Sequence, residues 1–141
     1  MIILDTNVLS ALMRDRPDPA VVNWLDAQPA ESVWTTSITV LEVRMGLEFI
    51  RTSRRRTRLE TSFDQLLQDD LDGRVLAFDT AAANAAGIAL AEAQRHGRST
   101  EIRDGQIAGI ALARRATVAT GNARHFEPLG VTAVDPWNLA D

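Results

Sequence analysis

Carboxylates are the one abundant reactive group in this chain, with 19 Asp and Glu among 141 residues. There is no cysteine, which excludes disulfide scaffolds, thiolate metal sites, CxxC redox centres and cysteine nucleophiles together. All fifteen basic residues are arginine. Without lysine, a Walker-type phosphate loop, a Schiff-base lysine and a lysine general base are excluded as well. His96 and His125 are the only histidines, too few for a histidine-rich metal centre. Any chemistry here is carboxylate chemistry.

Three acids stand out by position. Asp5 follows Met1-Ile2-Ile3-Leu4, a short apolar run of the kind that forms a buried parallel strand. In an open α/β sheet, ligands bind beyond the carboxyl ends of such strands, although an Asp there serves equally as a helix N-cap. Glu42 lies in a segment of helical spacing over residues 38–50, which Ser37 can cap. Its helical neighbours are Ile38, Thr39, Met45, Gly46 and Phe49, an apolar and small-residue face. A carboxylate on that face is desolvated, a cost of several kcal/mol unless a cation or strong donors compensate. The structural alternative is a pairing with a buried Arg. Asp104 repeats the pattern, in the first turn of a helix over residues 102–115 whose inward face carries Ile107, Ala108, Ala111 and Leu112. By itself it is ordinary compensation of the helix dipole.

The combination carries the argument. All three acids are placed to reach the carboxyl edge of one sheet, and buried carboxylates that cluster repel one another. A hard divalent cation relieves that repulsion, and oxygen-only ligands suit Mg²⁺ or Mn²⁺ rather than zinc. Such an ion can activate water and offset charge developing on a phosphodiester.

The elements that must position these acids follow from the rest of the pattern. Further strands are expected over residues 33–36, 75–78, 117–120 and 131–134. Asp18-Pro19 signals a helix start. Leu59, Phe63, Leu66 and Leu67 form an amphipathic stripe, and an alanine-rich helix runs over residues 80–96 with Gly97 as its stop. Strands alternating with helices over residues 1–141 predict one α/β domain with a parallel sheet flanked by helices. The small side chains of the alanine-rich helix suit close packing, within the molecule or against a second copy. Trp24, Trp34 and Trp137 each lie beside a core element, as packing residues do.

Net charge is −4 and similar in the two halves, so bulk charge does not announce a nucleic-acid binder. Arg51, Arg54, Arg55, Arg56 and Arg58 are the local exception. If helical, Arg51, Arg55 and Arg58 share one stripe, a track for RNA phosphates or a face for an acidic partner or solvent. No apolar run approaches the ~20 residues of a membrane span, and no basic leader precedes the first strand. A cytoplasmic protein without a membrane partner is expected.

Four segments carry a family resemblance. They are Ile3-Leu4-Asp5-Thr6-Asn7-Val8-Leu9, Thr39-Val40-Leu41-Glu42-Val43 with Gly46 behind it, Asp104 before Gln106-Ile107-Ala108, and Thr120-Gly121-Asn122-Ala123-Arg124-His125-Phe126. Together, in order and across nearly the whole chain, they resemble PIN-domain proteins, in particular the VapC/FitB toxins of bacterial toxin–antitoxin pairs. The resemblance implies a three-layer PIN-like α/β domain with a mainly parallel five-stranded sheet. It also implies a Mg²⁺- or Mn²⁺-dependent endoribonuclease that cuts RNA, is held inactive by a cognate antitoxin, and forms a homodimer. Asp5, Glu42 and Asp104 match the family's acidic centre, as metal ligands and catalytic groups. Thr6 matches the hydroxyl that supports the first Asp, and Asn122 the polar residue after the fourth strand. The chain departs from the pattern at His125, where the family often carries a fourth acid. A histidine there can hold water or contact a phosphate, or it is a surface residue before Phe126, and one ion is expected rather than two.

Two other functions compete. A degenerate, non-catalytic PIN-like domain that binds RNA or antitoxin is compatible with His125. A phosphatase with Asp5 as nucleophile on a Rossmann-like sheet is more remote. Asn7 stands where its second acid belongs, and the lysine such sites usually contain is absent.

Overall fold

A computed structural model describes residues 1–139. Strands and helices alternate as the pattern requires. β1 (Ile2–Leu4) leads to α1 (Thr6–Leu12) and α2 (Pro19–Asp26), and β2 (Val33–Thr36) to α3 (Ser37–Phe49) and α4 (Arg54–Gln65). β3 (Val75–Leu76) is followed by α5 (Thr80–Arg95) and α6 (Ile102–Arg114). β4 (Thr117–Ala119), the single-turn α7 (Ala123–Phe126) and β5 (Ala133–Val134) complete the order.

All strand pairs are parallel, in the order β3-β2-β1-β4-β5. β1 is central, with Ile2 in register with Val33 on one side and Thr117 on the other. The chain winds outward through β2 and β3, then crosses to β4 and β5. The switch point therefore lies at the carboxyl end of β1, where a parallel sheet opens a crevice.

Successive residues of each strand face opposite layers. Ile3 and Val118 join a core with α5, α6 and α7, including Ile107, Ile110 and Phe126. Leu4, Val33 and Ala119 join a second core with α1 to α4, including Val8, Val21, Trp24 and Phe63. Three layers result. The alanines of α5 are spent inside the molecule: Ala82, Ala86, Ala89 and Ala93 are buried. Gly109 of α6 lies so close that a Cβ there would run into the Ala82 carbonyl and come 2.8 Å from the Ala86 nitrogen.

α1 to α5 begin where short polar side chains satisfy the first N–H groups. Asp18 caps α2, accepting from Ala20 N–H at 2.9 Å with Pro19 in the first turn, and Asp79 caps α5 from Ala82 N–H at 2.9 Å. Gly97 ends α5 at φ +71°, a left-handed conformation that glycine adopts without strain.

Several boundaries differ from the sequence expectation. The cap of α3 is Thr36, whose hydroxyl accepts from Thr39 N–H at 3.1 Å, and not Ser37. Ser37 Oγ instead accepts from Phe78 N–H at 3.1 Å, taking that amide out of the strand ladder and ending β3 at Leu76. β5 is limited to residues 133–134 because only Ala133 and Val134 pair with β4. Residues 51–58 are not one helix. Ser53 caps α4 from Arg56 N–H at 3.1 Å, leaving Arg51 outside it and dissolving the predicted Arg51, Arg55, Arg58 stripe. Phe49, expected on the inward face of α3, is 80% exposed, and Leu112, expected inward on α6, is only partly covered. Phe49 is the last residue of α3, and Leu112 lines an open cavity with Ala85, Ile88 and Ala89 of α5. Trp24 is buried, and Trp34 and Trp137 pack against the two cores.

Candidate active site

Asp5 caps α1 and stands at the centre of the candidate site. Its N–H continues the ladder to Ala119 O at 3.0 Å, which fixes the carboxylate at the tip of the central strand. Oδ1 accepts from Thr6 N–H at 2.8 Å and caps α1. Oδ2 accepts from the Thr120 hydroxyl at 2.8 Å, with Asn7 Nδ2 at 3.4 Å. The residue is 5% exposed. Burial pushes its carboxyl above the ordinary range. The hydrogen bonds from Thr120 and Thr6 and the charge of His125 oppose that shift, and the charge of Glu42 adds to it.

Thr6 joins the first acid to the second. Its N–H serves Asp5 while its hydroxyl donates to Glu42 Oε1 at 2.8 Å. Glu42 Oε2 faces Arg103 Nη1 at 3.5 Å, the limit of a hydrogen bond. An Arg does approach Glu42, but not a buried one: its side chain is 42% exposed.

Asp104 enters from the first turn of α6. Its pKa is raised to about 6, first by loss of water around it and then by the charges of Asp5, Glu101 and Glu42, against the pull of His125. His125 Nδ1 stands 3.5 Å from Asp104 Oδ2 and the imidazole is more than half exposed. His125, expected where the family often carries a fourth acid, thus stands beside Asp104 with its imidazole open to solvent.

Among the described residues, no three His, Cys, Asp or Glu side chains stand close enough to hold a metal ion as placed. Each acid is turned to a partner of its own: Asp5 to Thr120, Glu42 to Thr6 and Arg103, Asp104 to His125. The donor set is all oxygen. Two of its members have pKa values raised by burial and by the other acids, an electrostatic deficit that a hard divalent cation would cancel.

Thr120, Asn7 and Arg103 also face the candidate site; the first two lie in the segments that carry the resemblance but have no role assigned there, and the sequence does not single out Arg103. Thr120 is fully buried at the end of β4, and its one visible signal is a hydroxyl at a strand terminus. Asn7 ties the strand ends together, with Nδ2 3.2 Å from Thr120 Oγ1 and Oδ1 accepting from Gly121 N–H at 2.9 Å. A Cβ at Gly121 would stand 3.0 Å from the Trp137 ring, which would have to give way by a few tenths of an ångström. Asn122, expected to support the acids, is exposed. Its backbone N–H donates to Thr120 Oγ1 at 3.0 Å, and its side chain makes no capping bond.

Beside Glu42 opens a groove of about 300 Å³ lined by Thr6, Ser10, Arg14, Gly46 and Arg55 among others. Gly46 leaves open space where a side chain would stand. The groove shares Met13, Arg14, Arg55 and Leu59 with a second cavity of about 330 Å³, which reaches Arg58. Arg55 thus shares the groove of Glu42, and Arg58 lines the adjoining cavity. Arg51 lines neither cavity.

A crossover at the central strand with acids at its carboxyl edge defines the class, and residues 2–129 match the PIN domain family. The chain belongs to that family. It is 39% identical over 140 residues to the VapC ribonuclease Y4jK of Sinorhizobium fredii, covering 99% of this chain and 100% of the relative. It is 34% identical over 138 residues to the toxin FitB of Neisseria gonorrhoeae, covering 98% and 99% respectively. The crystal structure of FitAcB from Neisseria gonorrhoeae superposes with a TM-score of 0.90 at 34% identity, covering 99% of this chain and 100% of that one.

Proposed function

We propose that this chain is a divalent-metal-dependent endoribonuclease, the toxin of a toxin–antitoxin pair, acting through Asp5, Glu42 and Asp104. The observation that carries the reading is the link from Asp5 through Thr6 to Glu42 at the switch point, with Asp104 close enough to feel both charges. Relatives named as a VapC ribonuclease and a FitB toxin support it. VapC-type PIN ribonucleases are in general divalent-metal dependent, and the oxygen-only donor set favours Mg²⁺ or Mn²⁺.

The three carboxylates would hold the ion, which supplies positive charge against the anionic transition state of phosphodiester cleavage. The chain's own residues do the rest. Asp5, 5% exposed and accepting from three donors, is the fixed member. Thr6 and Thr120 hold the carboxylates of Glu42 and Asp5 in orientation. Glu42 and Asp104 are partly open to the cleft and are the two able to take the proton of an attacking water. Arg55 and Arg58, in the adjoining groove, are suited to the RNA backbone or an acidic segment of the antitoxin.

The test is cleavage of bulk RNA by the purified chain, freed of antitoxin, in Mg²⁺ or Mn²⁺ with and without EDTA. Cleavage is expected only with the ion, and Asp5→Ala or Asp104→Ala should lower it by about 100-fold or more. Cutting that survives EDTA, or that both variants retain, would refute the assignment. Expression alone should arrest growth, and co-expression of the antitoxin should relieve the arrest.

A further inference from the structure

We propose that Arg103 is a phosphate-contacting catalytic residue of the cleft. Its guanidinium rests on Glu42 as a displaceable counter-ion and exchanges that carboxylate for the scissile phosphate. The inference rests on the metal-dependent ribonuclease reading and assigns a role to a residue next to the acidic centre rather than within it.

Three observations support it. First, Arg103 lies in the first turn of α6, where the helix dipole disfavours a cation and where Asp104, the next residue, is the ordinary choice. Nothing in helix energetics calls for an Arg there. Second, its one polar contact among the described residues is Nη1 to Glu42 Oε2 at 3.5 Å, with 42% of the side chain exposed. Half-exposed pairs of that length are cheaply broken, and the remaining guanidinium N–H groups are uncommitted. Third, the contact takes a carboxylate oxygen from the acidic cleft, so a divalent cation bound there competes directly with Arg103. Once displaced, the planar fork lies at the rim of the cleft with donors spaced for two phosphate oxygens. Arg14 and Arg55 also line the groove beside Glu42, but among the described residues no ion pair joins either to an acid of the cleft; Arg44 is paired with Glu60 at 2.9 Å, and Arg56 is bound to Glu48.

The experiment compares wild type, Arg103→Ala and Arg103→Lys. Two readouts are used: Mn²⁺ binding by calorimetry without RNA, and cleavage of RNA at saturating Mn²⁺. Circular dichroism checks the fold. Arg103→Ala should bind Mn²⁺ roughly 3- to 10-fold more tightly, because a positive charge has left the cleft, and its kcat/KM should fall about 100-fold through loss of a transition-state donor. Arg103→Lys should restore part of the cleavage but not all, since an ammonium lacks the fork. Unchanged or weaker Mn²⁺ binding, or cleavage within twofold of wild type, would overturn the proposal. If wild type binds Mn²⁺ but cuts no RNA, the ribonuclease reading fails instead, and the Mn²⁺ affinity of Arg103→Ala still decides whether the guanidinium is a displaceable counter-ion.

Discussion

Replacing Asp104 by Asn should make the metal-free protein more stable at pH 8, though it removes a residue to which the proposed function assigns catalysis. The folded protein raises the Asp104 carboxyl from an ordinary value of 3.8 to about 6, mainly by burial and by the charge of Asp5. A shift of roughly two pKa units corresponds to about 3 kcal/mol. With 21% of the side chain open to water, solvent screening reduces this to about 1–2 kcal/mol. Between about pH 4 and pH 6 the folded form keeps a proton that the unfolded form has released. Wild-type stability from this group is therefore full below about pH 4 and is lost as pH rises through 6. Asn has the same shape and no charge, so its advantage should be absent at pH 4 and complete by pH 8. Urea unfolding in EDTA at pH 4, 6 and 8 measures it, and a gain of about 3–6 °C in Tm at pH 8 is the thermal equivalent. If the proposed site holds the ion, excess Mn²⁺ should stabilise wild type at pH 8 and narrow the gap, because such an ion binds the folded state alone. A variant no more stable than wild type at pH 8, or equally advantaged at pH 4 and 8, would show that Asp104 carries no such strain.

Other perturbations test other parts of the cleft. Thr120→Val keeps the shape but removes the 2.8 Å bond to Asp5, and should cost about 1–3 kcal/mol in chemical denaturation together with weaker Mn²⁺ binding; unchanged affinity would make Thr120 purely structural. Glu42→Gln should abolish most cleavage while thermal unfolding moves by less than about 3 °C, and collapse of the fold would reassign Glu42 to structure. Gly109→Ala gains helix propensity but drives a methyl into the Ala82 carbonyl. It should be net destabilising by about 1–3 kcal/mol, and a neutral Tm would mean α5 can shift away from α6.

Much of the site was legible because helical and strand periodicity carry direction as well as type. Asp5 is one residue past an apolar strand. Asp104 shares a face with Ile107, Ala108 and Ala111, all fully buried. Glu42 has Ile38 and Thr39 buried beneath it, although the same face opens to solvent by Phe49. Gly46 on that face is already exposed, and which part of a helical stripe is covered depends on its neighbours in space, which periodicity does not encode. The arginine stripe failed because Ser53 outcompetes helix continuation by capping α4 two residues beyond Arg51.

The order of apolar, capping and turn residues along the chain determined the α/β alternation, the helix starts at Asp18 and Asp79, and the candidacy of three acids, because these depend on local conformation and burial pattern. Strand order decided the rest. Only the placement of β4 beside β1 brings Thr120 to Asp5, 115 residues away in sequence, and only the packing of α6 against α3 sets Arg103 on Glu42. Such contacts join side chains whose local sequences carry no information about each other, so they come into being when the sheet closes and not before.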